Sequence, residues 1–243
     1  MIGRAVTNLS DLNAFTLSNT WIRGALGGQL YKRDANYALG AGIAQQNLKT
    51  VENAILAGAD LDKEHMGYTA LHRAALDAWE DGVRLLLKHG ADHGMKANSP
   101  VKPAMHVMIS SPSSRQAESY VCIAEAFIEY HADINWKDDN HSPNTALALA
   151  SGRGNLVMAN LLLTHQADIE SKDRWGSTPL HLAVRSGNDA MVSLFLEEGA
   201  NVNAEDNKRR TPLYWAREYG ADSIGTLLVE HGANTNLPPI GGV

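Results

Sequence analysis

The sequence predicts an all-α protein built as a stack of helix–turn–helix repeats, and three observations carry that prediction. A threonine heads a recurring apolar element: Thr145, Thr178 and Thr211 are spaced by 33 residues each, and Thr69 heads the same pattern upstream. A second marker closes each unit, as Gly58-Ala-Asp, Gly90-Ala-Asp, His131-Ala-Asp, Gln166-Ala-Asp, Gly199-Ala-Asn and Gly232-Ala-Asn. Between the two markers, apolar residues recur at helical spacing and are interrupted by glycine. Recurrence separates architecture from chemistry. The stretch "GSTPLHLAVRSG" (176–187) sets a histidine among serine, threonine and glycine as a hydrolase loop would, yet it returns one interval later as "RTPLYWAREYG" (210–220). A catalytic motif is ordinarily used once.

Each repeat is expected to open with a turn and continue into two antiparallel helices. Thr178 is placed to cap the first helix, and Pro179 fits a first helical turn, where no amide bond is lost. Leu180, Leu182 and Ala183 give that helix an apolar face, and Gly187 stops it. Met191, Val192, Leu194, Phe195 and Leu196 mark the second helix, which Gly199 ends. In this register six repeats span about 36–64, 65–97, 98–135, 136–170, 171–203 and 204–236. The third, at about 98–135, is irregular. Its first helix is expected over Pro103–Ser111, and the interval Pro103 to His131 is 28 where Thr69 to Gly90 is 21. Seven residues, Ser111–Ala117, are therefore inserted between its helices. The finger from Asn135 to Thr145 is also two residues longer than Asn203 to Thr211. Insertions in repeat proteins fall in loops on one face, often the binding face.

Both markers and the interval resemble the ankyrin repeat, over residues 36–236. The resemblance implies a solenoid of about six repeats with finger-like β-turns, working as a protein-interaction module that holds a partner segment in a concave groove of fingers and first helices. Residues 1–35 are not a repeat. Asp11, Leu12, Asn13, Asn19, Leu30, Tyr31, Arg33 and Asp34 resemble the rear half of the F-box-like segment that precedes ankyrin repeats in many fungal proteins. The front half of that pattern is missing, so a helical cap that shields the first repeat is expected rather than adaptor docking. Residues 237–243 form a tail.

Composition narrows the partners. Lys plus Arg is 21 against 27 Asp plus Glu, a net charge of -6, so neither nucleic acid nor a membrane surface is expected to bind. Cys122 is the single cysteine and cannot form an internal disulfide; no run approaches the roughly 20 apolar residues of a membrane span; and the N-terminus lacks a secretory pattern. A cytoplasmic or nuclear setting is expected. No phosphate loop, nucleophile elbow or dinucleotide fingerprint is present, and no His or Cys pairs have zinc-ligand spacing, so no cofactor and no metal are expected.

The ten histidines fall mostly into register. His72, His106 and His181 occupy the slot after the leucine of the threonine element, where the ankyrin resemblance implies bonds to a neighbouring backbone. His89, His165 and His231 precede the residue that ends the second helix, and His131 takes that terminating place itself. His65, His93 and His141 remain on finger turns. Cys122 sits in "SYVCIAEAFIEY", where Val121, Ala124, Phe127 and Ile128 suggest burial rather than nucleophilic chemistry. Trp136 and Trp175 stand on successive fingers, suited either to partner contact or to stacking of fingers. Arg174, Arg185, Lys208, Arg209, Arg210 and Arg217 gather on the fingers and first helices of repeats five and six, which suits an acidic peptide or a merely solvated face. Position by position, the resemblance selects as binding residues His65, Met66, Tyr68 and Asp77, then Lys102 and His141, then Arg174, Trp175, Arg185, Arg210 and Tyr219; the aromatic rings of Trp79 and Trp136 are added to these as binding candidates. A second reading, of another class, is a small-molecule enzyme of cyclase or isomerase type. Its pocket would lie between the N-terminal segment and the third repeat, with Asp77, His106, Glu118 and His141 as acid/base groups.

Overall fold

In the computed structural model the described residues are 27–96, 102–111, 118–137 and 144–236. Among them are twelve α-helices and no β-strand; two isolated bridges, His65–Tyr68 and Lys96–Pro103, mark finger turns. The expected all-α pattern of helix pairs joined by fingers is therefore present. Residues 1–26 of the expected cap, 112–117 of the insertion and the 237–243 tail lie outside the described residues. Helix α1 (Gly27–Ala44) runs across the position where the cap was expected to end.

The chain divides into two compact units, residues 1–108 with 122–130 and residues 109–121 with 131–243. In the first, α1 packs on α2 (Leu48–Leu56) and α3 (Ala70–Leu76), and α4 (Glu80–Lys88) packs on both α2 and α3. Asn47 caps α2 by accepting the Thr50 N–H at 3.0 Å, and Thr69 caps α3 through the His72 N–H at 3.4 Å. Trp79 is the N-cap residue of α4, with its ring laid over Gly82, where a side chain would collide with it. The division between units falls inside α5 (Ala104–Ser110) and α6 (Glu118–Glu129), the two helices of the irregular repeat.

Helix α6 departs from expectation. It buries Tyr120, Ile123, Ala124 and Phe127, leaving Val121, Cys122 and Ile128 half-buried. Positions 120, 123, 124 and 127 form one helical face as good as the neighbouring one expected. The observed face keeps the register of the closing marker: Ile123, Ala124 and Phe127 precede His131 by the same intervals at which the buried Met191, Val192 and Phe195 precede Gly199.

In the second unit the first helices α7 (Ala146–Arg153), α9 (Pro179–Ser186) and α11 (Pro212–Glu218) pack in series. The second helices α8 (Leu156–Thr164), α10 (Asp189–Glu197) and α12 (Asp222–Glu230) do the same. Thr145 and Thr211 accept the N–H groups of Ala148 and Tyr214 at 3.2 and 3.3 Å, while Asn155 and Asn188 cap α8 and α10. His165 and His231 are C-cap residues of α8 and α12, as His89 is of α4.

A side-chain ladder ties successive repeats. Asn135 accepts the Asp168 N–H at 2.8 Å, Glu170 accepts the Asn201 N–H at 2.7 Å, and Asn203 accepts the Asn234 N–H at 2.8 Å. Asp62 does the same for Asp92 in the first unit, at 2.8 Å. The corresponding place after Asp92 is Gly94, which has no side chain to accept. Each bond satisfies a turn amide that would otherwise rely on water, and it fixes the spacing of the fingers that carry the candidate site.

Candidate protein-binding surface

An acidic residue five places before the threonine organises the fingers of repeats five and six. Asp173 Oδ1 accepts the N–H groups of Trp175 and Ser177, both at 2.8 Å; one repeat later Asp206 Oδ1 accepts those of Lys208 at 2.8 Å and Arg210 at 2.9 Å. The second oxygen of Asp206 takes the Arg210 guanidinium at 2.8 Å and the Trp215 indole N–H at 3.3 Å. Burial alone would raise the Asp206 carboxyl, but the amide and guanidinium of Arg210 and the Lys208 amide outweigh it and hold the carboxyl below its ordinary range. Sequence reasoning missed Asp173 and Asp206. The signal was available, since both lie five residues before a repeat threonine and are 33 apart.

Histidine locks two of the first helices, α3 and α9, to the next finger. His181 Nδ1 meets the Thr178 hydroxyl at 2.9 Å and accepts the Thr178 N–H at 3.2 Å, so Nε2 carries the proton and donates to the Arg210 carbonyl at 3.0 Å. His72 repeats the arrangement, with Thr69 at 2.8 Å and the Lys102 carbonyl at 2.9 Å. Burial lowers the pKa of both rings, outweighing the acceptor carbonyl and nearby acids that would raise it. These imidazoles are neutral structural pins. Lys102 therefore contributes a backbone acceptor as well as a half-buried side chain.

The expected binding residues separate by exposure. Trp175 is 46% exposed, with the Arg174 guanidinium stacked on its ring at 3.9 Å. Met66, at the equivalent finger place of repeat two, is 85% exposed, and Tyr219 is 57% exposed. His65 is exposed, and its amide and carbonyl bond those of Tyr68, whose half-buried ring tilts towards His72 at 6.1 Å. Trp136 is half-buried. Trp79 is only 8% exposed, so its ring serves the interior of the first unit. Around Trp215, which is buried, the geometry is dense. His181 meets the ring edge-on at 5.4 Å and Tyr219 at 6.2 Å, while the guanidinium groups of Arg210 and Arg185 lie 5.1 and 5.8 Å from its centre.

Of the four acid/base groups of the enzymatic reading, His141 lies outside the described residues, as does the side chain of Glu118. Asp77 is on the surface, 3.9 Å from Arg73, and His106 is in the core. Among the described residues no three His, Cys, Asp or Glu side chains are placed to hold a metal ion, and no helix is long and apolar enough to cross a membrane.

Paired helices with threonine caps, finger turns and an inter-repeat histidine define a helical repeat protein of the interaction-scaffold class. The chain belongs to the ankyrin-repeat family: the family of "Ankyrin repeats (3 copies)" matches residues 114–206 and 165–238, and the single "Ankyrin repeat" matches 66–98. The crystal structure of the ankyrin repeat domain of Bcl-3, described as a unique member of the IkappaB protein family, is similar with a TM-score of 0.72 and 27% identity. That match covers 82% of this chain and 88% of that one. The chain is 30% identical over 154 residues to the human Ankyrin repeat and SOCS box protein 6, covering 56% of this chain and 34% of that protein. To the Drosophila melanogaster Ankyrin repeat and KH domain-containing protein mask it is 31% identical over 111 residues, 46% of this chain and 3% of that protein. The chain thus spans about a third or less of the length of these relatives. Ankyrin repeats of this kind are protein-interaction scaffolds.

Proposed function

We propose that the chain is a non-catalytic interaction module that holds a segment of a partner protein against its finger turns and first helices, the concave side of an ankyrin array. One observation carries the reading: Trp175 stands half-exposed on a finger whose backbone is already fixed by Asp173, with Arg174 stacked on its ring. An aromatic plate on a rigid support loses little conformational entropy on binding, which is the property of interface anchors. Arg185, on first helix α9, and Tyr219, the C-cap residue of first helix α11, extend the surface in the same unit.

The test is a random-peptide display selection against the full chain, followed by calorimetric titration of the enriched peptides. Trp175→Ala is expected to weaken their binding by about tenfold or more, because truncating an anchor costs about 2 kcal/mol. The melting temperature should barely move, since surface substitutions change stability by only about 0.5 kcal/mol. Leu180→Ala should do the reverse, destabilising the fully buried core by about 2–5 kcal/mol. If Trp175→Ala unfolds the protein while its folded fraction binds normally, the tryptophan is mortar between fingers and the reading falls.

A further inference from the structure

We infer that the partner segment is acidic, with apolar residues set among its carboxylates, and that Arg185 is its principal carboxylate anchor; the inference rests on the finger-face reading above. In repeats five and six, residues 171–236, all seven cations lie on the fingers and first helices: Lys172, Arg174, Arg185, Lys208, Arg209, Arg210 and Arg217. The same elements carry four acids, of which Asp173 and Asp206 are buried in finger bonding, leaving Glu205 and Glu218 exposed. The second helices and their C-terminal ends carry Asp189, Glu197, Glu198, Asp222 and Glu230 and no cation. The two-repeat stack is therefore acidic in sum yet strongly positive on one face.

The cations differ in what already occupies them. Arg210 is committed to Asp206 at 2.8 Å, with Glu218 at 4.0 Å, and Lys172 donates to the Glu205 carbonyl at 2.9 Å. Arg185 shares the Trp215 ring with Arg210, is exposed, and among the described residues has no carboxylate within ion-pair distance. Two guanidinium groups converging on one indole, with a buried carboxylate held by only one of them, leave the fork of Arg185 open to a bidentate carboxylate from outside.

Arg209 supplies an independent observation. It occupies the place of Gly176 in the preceding finger and has φ 58, where Gly176 has φ 77. A side chain there costs backbone energy that glycine would not, and the side chain this position carries is a guanidinium. The exposed Arg209 and its neighbour Lys208 put positive charge at the finger tip. Beside them, the Asn207 amide bonds the Trp175 carbonyl at 2.9 Å, so the cationic tip and the Trp175 plate belong to adjoining fingers. An acidic peptide with apolar residues matches both. A nucleic acid matches less well, because the five acids of the second helices and the net charge of -6 repel a long phosphate backbone.

The test uses the full chain and a short fluorescent peptide of repeating Asp-Glu-Leu, compared with its uncharged Asn-Gln-Leu counterpart and with an oligothymidylate of similar length, by anisotropy at low and raised salt. The acidic peptide should bind about tenfold or more tightly than the uncharged one and weaken with salt. Arg185→Glu should abolish that preference at unchanged melting temperature, whereas Asp189→Lys, on the opposite helices, should leave it intact. Arg209→Gly should weaken acidic-peptide binding while raising the melting temperature. If both peptides bind equally and Trp175→Ala weakens both, the acidic inference is overturned while the finger-face function stands. If the acidic peptide binds but ignores both Arg185→Glu and Trp175→Ala, both readings are overturned. Absence of acidic-peptide binding, or tighter binding of the oligothymidylate, also overturns the inference.

Discussion

At the scale of single residues, neutral histidines pin a first helix to the following finger, and a charged aspartate pins a finger to its own first helix. His181 serves only while Nδ1 is unprotonated, because that atom accepts the Thr178 N–H. Burial sets its folded pKa below the unfolded value of about 6.5, so the unfolded chain binds more protons between the two. The stabilisation is therefore complete above about pH 6.5 and is lost as pH falls towards the folded pKa; His72 adds to the same window. Asp206 acts lower down: its pKa is depressed, so its share persists until pH drops below about 4. Thermal melts over a pH series should show these as two separate declines, and His181→Gln should flatten the upper one. A melting temperature constant from pH 7 to about 5 would contradict the neutral-pin account.

At the scale of elements, the finger is a rigid hairpin rather than a loop, and its rigidity depends on what lies next to it. The fifth-repeat finger turns at Gly176, with φ 77, and a side chain there would approach Asn207 Oδ1 at 2.5 Å and its backbone nitrogen at 2.6 Å. Gly176→Ala thus meets both backbone strain and the neighbouring finger. A loss of about 1–3 kcal/mol is expected, read as a lower melting temperature, together with weaker peptide binding as Trp175 shifts. An unchanged melting temperature would show that the fingers are not in register as described. The contrast with Trp79 belongs to this scale too, since the same residue type stands as a buried N-cap in one repeat and a half-exposed plate in another.

At the scale of the whole molecule, a repeat array is stabilised by the sum of neighbour interfaces, with no single core that closes on itself. In the second unit α9 packs on α11 and α10 on α12, and His181 reaches the Arg210 carbonyl of the last repeat. Ending the chain at residue 203 removes those partners and bares the apolar side of repeat five. The truncated protein should melt at lower temperature and scatter light in proportion to its concentration, as exposed apolar patches associate. A monomer with the parent's melting temperature would refute nearest-neighbour stabilisation.

The sequence by itself determined the repeat and its register, because the physics of one repeat is local. A threonine that caps, a proline that fits the first turn and a glycine that stops a helix act within a few residues, and they recur every 33 where the array is regular. The family and the all-α class were legible for that reason, and the inter-repeat bonds of His72 and His181 followed from the ankyrin resemblance. Tertiary structure alone decided which side chains face outward and which cations are already engaged. The burial of Trp79 against Gly82, the half-burial of Cys122 and the gathering of Arg185, Arg210 and Tyr219 about Trp215 depend on contacts between different helices or successive repeats. Such contacts are set by packing, and no periodicity within one repeat encodes them.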